Sequence, residues 1–104
     1  MVDKRKIKAF KFFRPKDGYW AIILGEDEYV VQELYMEEQR MSKEKFDREN
    51  IRKEQLRPSY KIPSIWSGSS TTIGALINTI KFFPRCVLES DDLADLRDYY
   101  NKSE

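Results

Sequence analysis

Histidine is absent from this chain, and cysteine occurs once, at Cys86. The missing imidazole removes the commonest general base near neutral pH and the commonest metal ligand, so histidine-dependent triads and Cys–His pairs are excluded. Cys86 lies in a short segment with the pattern of a strand, where a free cysteine is usually a buried and unreactive thiol. We therefore expect a protein that is not an enzyme and that uses no metal or cofactor.

Disulfides and long apolar runs are missing as well. A single cysteine cannot close an internal disulfide, so packing must hold the fold, and a reducing compartment is expected. No apolar run approaches the ~20 residues that span a bilayer, and the lysine-rich start is not followed by the apolar segment of a signal peptide. We expect a cytoplasmic protein with no membrane partner, folded as one small domain over residues 1–104.

The chain is rich in charged residues, and residues of like charge are grouped into blocks along the sequence. Residues 1–16 carry seven basic side chains against one acid, and residues 17–40 carry seven acids against one arginine. Residues 41–61 are basic again, so the formal net charge of +1 hides a strong segregation. Segregated charge shapes the electrostatic field that a partner meets, and the pattern indicates a binding protein.

The first third of the chain has the pattern of β-structure. Approximate alternation over residues 5–13, a Pro-Lys-Asp-Gly turn at 15–18 and an apolar segment from Tyr19 to Leu24 predict a hairpin. The β-branched and aromatic residues from Tyr29 to Met36 predict a third strand after a second turn. Short connections of this kind indicate an antiparallel meander of three or four strands.

The rest of the chain has helical patterns separated by irregular segments. Residues 37–61 are highly charged and predict an exposed middle helix, with a mobile arm as the alternative. A helix over residues 73–83 follows from apolar side chains at helical spacing and ends at Pro84; the Ser/Thr-rich residues before it are typical of a helix cap. A strand from Arg85 to Leu88 comes next. The predicted stripe comprises Ile73, Leu76, Ile77, Ile80 and Phe83.

A last helix is predicted to begin at Ser90 as N-cap, with Leu93, Leu96 and Tyr100 on its inner face. The predicted fold class is therefore α+β. It comprises an N-terminal antiparallel meander, a charged middle helix and two C-terminal helices packed on one face of the sheet.

One face of the first predicted strand combines cations with aromatic rings. In the favoured register that face presents Lys6, Lys8, Phe10, Phe12 and Arg14. Cations follow phosphates while rings stack on unpaired bases, so the pattern predicts a surface that binds single-stranded DNA or RNA. Two arginines of the middle segment are weaker candidates for the same role because they lie one helical turn apart in the predicted helix: Arg48 and Arg52.

Two other interpretations stay open at this stage. The basic first strand could instead form ion pairs with an acidic neighbouring strand, which would make the charge segregation structural. Alternatively, the acidic surface over residues 26–38 could recruit a basic protein partner, as a small regulatory or inhibitory module of the viral kind would. The residues expected to contact that partner are Glu26, Asp27 and Glu28. An open sheet edge would also allow a homodimer.

Overall fold

The computed structural model describes residues 3–63 and 70–92. Its strands are β1 (Lys8–Phe13), β2 (Trp20–Gly25), β3 (Arg52–Leu56), β4 (Lys61–Pro63), β5 (Ser70–Thr72) and β6 (Arg85–Glu89). The main sheet has four antiparallel strands in the order β3-β1-β2-β6, and a separate two-stranded sheet pairs β4 with β5. The helices are α1 (Glu28–Glu38), α2 (Lys43–Arg48) and α3 (Ile73–Thr79), and a 3₁₀ turn covers Lys4–Lys6. The α+β class with a four-stranded antiparallel sheet is confirmed.

The predicted hairpin between β1 and β2 is confirmed. The strands pair in register from Lys8 opposite Gly25 to Phe13 opposite Trp20. Gly18 adopts a φ of 77°, which is the left-handed conformation that glycine accepts most readily. Its N–H donates to the Arg14 carbonyl at 2.9 Å and closes the turn.

The predicted third strand over Tyr29–Met36 is wrong, because these residues belong to helix α1. The carboxylate of Asp27 caps this helix by accepting a hydrogen bond from the Val30 N–H at 2.9 Å. Val31 and Tyr35, four residues apart, are both buried, so one helical face fills the core. Burial of that face outweighs the β-propensity of the segment, which is a weak and context-dependent preference.

The third member of the sheet comes instead from the middle segment that was predicted to be helical. The first two residues of that segment end α1 and Lys43–Arg48 form α2, whereas Arg52–Leu56 form β3 at the edge of the sheet beside β1. Four of the five residues of β3 are exposed, and only Leu56 is buried. Charged side chains on an edge strand are a common protection against unwanted pairing, and they gave this strand the composition of an exposed helix.

The C-terminal part follows the prediction with adjusted boundaries. Helix α3 ends at Thr79, because Ile80 already has an extended backbone, and the hydroxyl of Thr72 caps its start by accepting from the Ala75 N–H at 3.1 Å. Strand β6 is confirmed. Ser90 is the first helical residue of the next segment, and its hydroxyl accepts from the Trp20 N–H instead of acting as N-cap.

The helical prediction beyond Asp92, with its inner face of Leu93, Leu96 and Tyr100, lies outside the described residues. Within residues 3–63 and 70–92, no helix is long and apolar enough to cross a membrane.

Apolar side chains cover both faces of the sheet. On one face β1 and β2 pack against α1 and α2, and on the other they pack against α3 and the β4–β5 pair. The first cluster contains Phe10, Phe12, Ala21, Ile23, Val31, Tyr35, Met41 and Phe46. The second contains Ile7, Ala9, Ile22, Leu24, Leu56, Ile62, Ile73, Ile77, Ile80 and Leu88. The described helices therefore lie on both faces. The sequence predicted packing on one face for the two C-terminal helices, and α3 packs on a single face as predicted.

Candidate functional site

The predicted basic and aromatic strand face does not exist as an exposed surface. Phe10 is 6% exposed and Phe12 is fully buried. Strand β1 is internal to the sheet, and this face lies under α1 and α2, where the Phe12 ring stacks on Tyr35 with centroids 4.9 Å apart. Neither phenylalanine can stack on a base while the protein is folded, so both must be removed from the predicted site.

The three cations of the predicted face also have separate surroundings. Lys6 lies in the 3₁₀ turn and Lys8 at the start of β1, and both are exposed. Arg14 is engaged at the opposite end of β1, where its guanidinium donates to Asp17 at 2.7 and 2.9 Å and to Gln39 at 3.3 Å.

Arg14 therefore has a structural role in the hairpin. Its guanidinium lies 5.0 Å from the Tyr19 ring centroid, and its side chain is 18% exposed. The hydrogen bond from Arg14 is the main cause that lowers the pKa of Asp17 to about 2, and the same bond raises the pKa of Arg14. An arginine held in this way is not free to follow a phosphate backbone.

The structure does bring Arg48 and Arg52, the two weaker candidates, together in a groove that the sequence did not predict. We call it the cationic groove; it has a volume of about 810 Å³ and lies between the hairpin turn, the end of α2 and the start of β3. The described residues that line it are Pro15, Lys16, Lys45, Arg48, Glu49, Asn50 and Arg52. Four of them are cationic and one is acidic, so the groove has a net positive charge.

Local structure explains how Arg48 and Arg52 meet without sharing a helix. The Ser42 hydroxyl caps α2 by accepting from the Lys45 N–H at 3.2 Å, and the buried Phe46 fixes the helix to the core. After α2, Asn50 adopts a φ of 55° and turns the chain into β3. Pairing of Arg52 opposite Phe13 then places Arg52 at the hairpin end of the sheet.

Lys16 and Lys45 are the cations of this groove that were not among the predicted binding residues. Lys45 lies in the first half of α2, in the same basic segment as Arg48 and Arg52, whereas Lys16 lies in the hairpin turn, and nothing in its spacing along the chain joins it to Arg52. The basic character of the turn and of the middle segment was visible, but the contact depends on pairing between β1 and β3. That pairing was not predictable while β3 was interpreted as a helix.

Glu49 is the acid among the groove's described lining residues. One of its carboxylate oxygens lies 3.9 Å from Lys16 Nζ, and the side chain is 12% exposed. The other oxygen, Oε2, is buried and has no hydrogen-bond partner within the described part of the chain. Glu49 neutralises only part of the surrounding positive charge, so the groove still favours an anion.

Next to this groove lies a part of the sheet where aromatic rings are incompletely covered, and we call it the open sheet half. It carries Lys11, Phe13 and Trp20, all intermediate in exposure, on the face opposite to the predicted one. Lys11 Nζ lies 4.9 Å from the centre of the Trp20 ring. Arg52 joins the two surfaces, because it lines both the cationic groove and a small cavity beside Lys11 and Phe13.

The residues proposed for a protein partner are largely engaged within the molecule. Asp27 caps α1, as described above. A carboxylate oxygen of Glu28 lies 2.7 Å from Lys53 Nζ. Glu26 is exposed. Two of the three predicted contact residues therefore have structural roles, which weakens the basis of that alternative.

Cys86 has the surroundings of an unreactive thiol. Burial and then the nearby carboxylates of Glu38 and Glu89 raise the pKa of Cys86 to about 12, so the thiol keeps its proton at neutral pH. The donor atoms of these three residues lie within 4.8 Å of one another, a spacing that would suit three ligands of a small divalent cation. Cysteine binds metals as thiolate, so a cation at this position would have to displace the thiol proton.

Comparison with known proteins found no matching family model, no similar curated protein and no similar solved structure.

Proposed function

We propose that this protein binds single-stranded nucleic acid without catalysing a reaction, and that the cationic groove holds the phosphate backbone. The observation that carries the proposal is the convergence of four cations from three elements on one open groove: Lys16, Lys45, Arg48 and Arg52. Basic side chains that neutralise phosphates release condensed counterions, and this release supplies most of the affinity that is independent of sequence.

The preference for single strands follows from the neighbouring open sheet half. Phe13 and Trp20 have partly uncovered rings, and Phe13 lies in β1 directly opposite Arg52 of β3. Unpaired bases can stack on such rings, whereas the bases of a duplex are already stacked on each other. The combination of a cationic groove with adjacent rings is the arrangement expected of a single-strand binding surface.

Fluorescence anisotropy of labelled oligonucleotides tests the proposal. Single-stranded DNA and RNA of about 20 nucleotides would be titrated with the protein at about 50 and 200 mM salt, beside duplex DNA of equal length. We expect binding to single strands that weakens with salt and is stronger than binding to the duplex. The double variant Arg48→Glu/Arg52→Glu should weaken binding by at least about tenfold, because two attractive charges become repulsive.

Two single variants serve as controls for charge alone. Arg57→Glu and Lys8→Glu change exposed cations that do not line the cationic groove, and Lys8 belongs to the face that the sequence originally predicted. Both should bind within about twofold of the wild type. Equal losses in the control and groove variants would mean that binding follows overall charge, and undetectable binding at low salt would overturn the proposal.

A further inference from the structure

We propose that the pocket between α1 and α2 binds one base of the single strand whose backbone occupies the cationic groove. We call it the helix pocket. It has a volume of about 430 Å³, and its described lining includes Tyr29, Gln32, Lys43, Asn50 and Lys53 above a floor of Phe46 and Ile51. This inference rests on the proposed function and assigns the helix pocket a separate role within it.

Tyr29 provides the first argument, because its ring is left uncovered. Tyr29 is 81% exposed, although burial of a tyrosine ring against apolar surface would lower the free energy of the folded protein. Phe82 is almost as exposed, at 79%, but it lines neither the cationic groove nor the helix pocket. An uncovered ring at the wall of a pocket is suited to stacking on the face of a base.

The charge of the helix pocket provides the second argument. Its cations Lys43 and Lys53 are opposed by Asp47, which also lines it, and Lys53 is bound to the carboxylate of Glu28 at 2.7 Å. The positive charge is therefore largely compensated, whereas the cationic groove keeps a net positive charge. A compensated pocket with an apolar floor suits a neutral heterocycle better than a phosphate.

Polar groups around the pocket match those that a base edge needs. The Gln32 amide lies on the rim, where its oxygen accepts from Lys53 Nζ at 2.9 Å and its nitrogen makes only a long contact of 3.8 Å to Met36 Sδ. Because that long contact is weak, the amide N–H groups are available to acceptors on a base. The side chain of Asn50 offers a second amide.

Continuity between the two surfaces provides the last argument. Asn50 lines both the cationic groove and the helix pocket, at the corner where the chain turns from α2 into β3. A nucleotide with its phosphate in the groove therefore has the pocket beside it. The phosphate backbone therefore has its site in the positively charged groove, and a base has its site in the adjoining, largely compensated helix pocket.

Binding to two matched probes tests the inference. The first is a labelled thymidine oligonucleotide of about 20 nucleotides, and the second is an abasic deoxyribose-phosphate oligomer of the same length, which has the same charge and no bases. The variant Tyr29→Ala should weaken binding of the first probe by about 5- to 150-fold, the range expected from loss of one stacked base. Binding of the abasic probe should stay within about twofold of the wild type.

Control variants separate stacking from structural effects. Tyr29→Phe keeps the ring and should bind the thymidine probe within about threefold of the wild type, and Phe82→Ala removes an equally exposed ring elsewhere and should have no effect. Equal losses by Tyr29→Ala on both probes, or no loss on either, would overturn the inference. If the wild type binds the abasic probe as tightly as the thymidine probe, the result supports phosphate binding in the cationic groove and contradicts base binding in the helix pocket. If it binds neither probe, the proposed function itself fails.

Discussion

Lys53 Nζ lies 2.7 Å from a carboxylate oxygen of Glu28, so the edge strand β3 is tied to the first turn of α1. The pair joins the second basic block of the sequence to the acidic block that precedes it. Lys16 and Glu49 make a second contact between blocks, at 3.9 Å. Part of the charge segregation is therefore used inside the molecule, and four basic side chains line the cationic groove: Lys16, Lys45, Arg48 and Arg52.

The Lys53–Glu28 pair should contribute only modestly to stability. Its side chains are 30% and 54% exposed, and ion pairs at such positions are worth about 0.2–1 kcal/mol because water screens them. A double-mutant cycle with Lys53→Met and Glu28→Gln, measured by urea denaturation, should give a coupling energy in that range. A coupling above about 2 kcal/mol would contradict this surface assignment.

Burial of Phe12 gives a larger and more decisive effect. Phe12→Ala should lower the free energy of unfolding by about 3–5 kcal/mol, because it empties the space between Tyr35 and Phe46 in the core. Phe13→Ala changes the adjacent, half-buried ring and should cost clearly less. Chemical denaturation of the two variants checks the order. If Phe12→Ala were the milder change, the Phe12 ring would face water, as the alternation of the sequence predicts.

This reversed orientation of β1 shows what the sequence could and could not predict. The alternation over residues 5–13 and the Pro-Lys-Asp-Gly turn were sufficient to predict the hairpin, because both depend on local geometry. They could not decide which face is covered, since a shift by one residue exchanges the two faces. That decision came from α1 and α2, which pack on the face of Phe10 and Phe12.

The candidate site was less predictable than the fold for the same reason. Arg48 and Arg52 were identified as binding residues on the assumption of a shared helix, yet they meet through the turn at Asn50 and the pairing of β3 with β1. Lys16 reaches them from a turn more than 30 residues away in sequence. Contacts of this kind follow from strand order, which a single sequence does not specify.

The hairpin turn should make stability depend on pH in the acid range. Asp17 has a folded pKa of about 2, below its ordinary value of 3.8, because Arg14 and the Tyr19 N–H bind the carboxylate. A lowered folded pKa stabilises the protein above the unfolded pKa, and this contribution disappears as the pH falls through the folded pKa. Asp17→Asn should therefore lower the melting temperature at pH 7, and the difference from the wild type should shrink as the pH falls below 3.8 and be largely lost by about pH 2.

Thermal melts of both proteins between about pH 2 and pH 7 would measure this difference. Glu44→Gln is a suitable control, because Glu44 is exposed and makes none of the ion pairs found within the described residues. A constant gap between wild type and Asp17→Asn across the whole range would show that the carboxylate's charge is not the stabilising feature.

Two glycines should respond in opposite ways to alanine. A Cβ on Gly25 would lie 2.5 Å from Val31 Cγ1, and Val31 is fully buried, so Gly25→Ala should destabilise the protein by about 1–3 kcal/mol. A Cβ on Gly74 would meet the Pro58 carbonyl oxygen at 3.4 Å, which is an ordinary contact. Because Gly74 lies in the first turn of α3, Gly74→Ala should stabilise by up to about 1 kcal/mol, the full gain applying to a helix interior. Urea denaturation measures both, and the same sign for both variants would contradict this packing.

The salt dependence of binding should report how many cations of the groove contact phosphates. For a single strand the logarithm of the binding constant falls with the logarithm of salt concentration with a slope of about −0.7 per phosphate contacted. Four lining cations predict a slope near about −2.8, and Arg48→Gln should bring it to about −2.1 by removing one contact. Arg57→Gln removes the same charge outside the groove and should leave the slope unchanged.

Anisotropy titrations at several salt concentrations would measure the three slopes. A slope near zero for the wild type would mean that the protein neutralises no phosphates, which would contradict binding of the backbone in the groove, because each neutralised phosphate releases counterions.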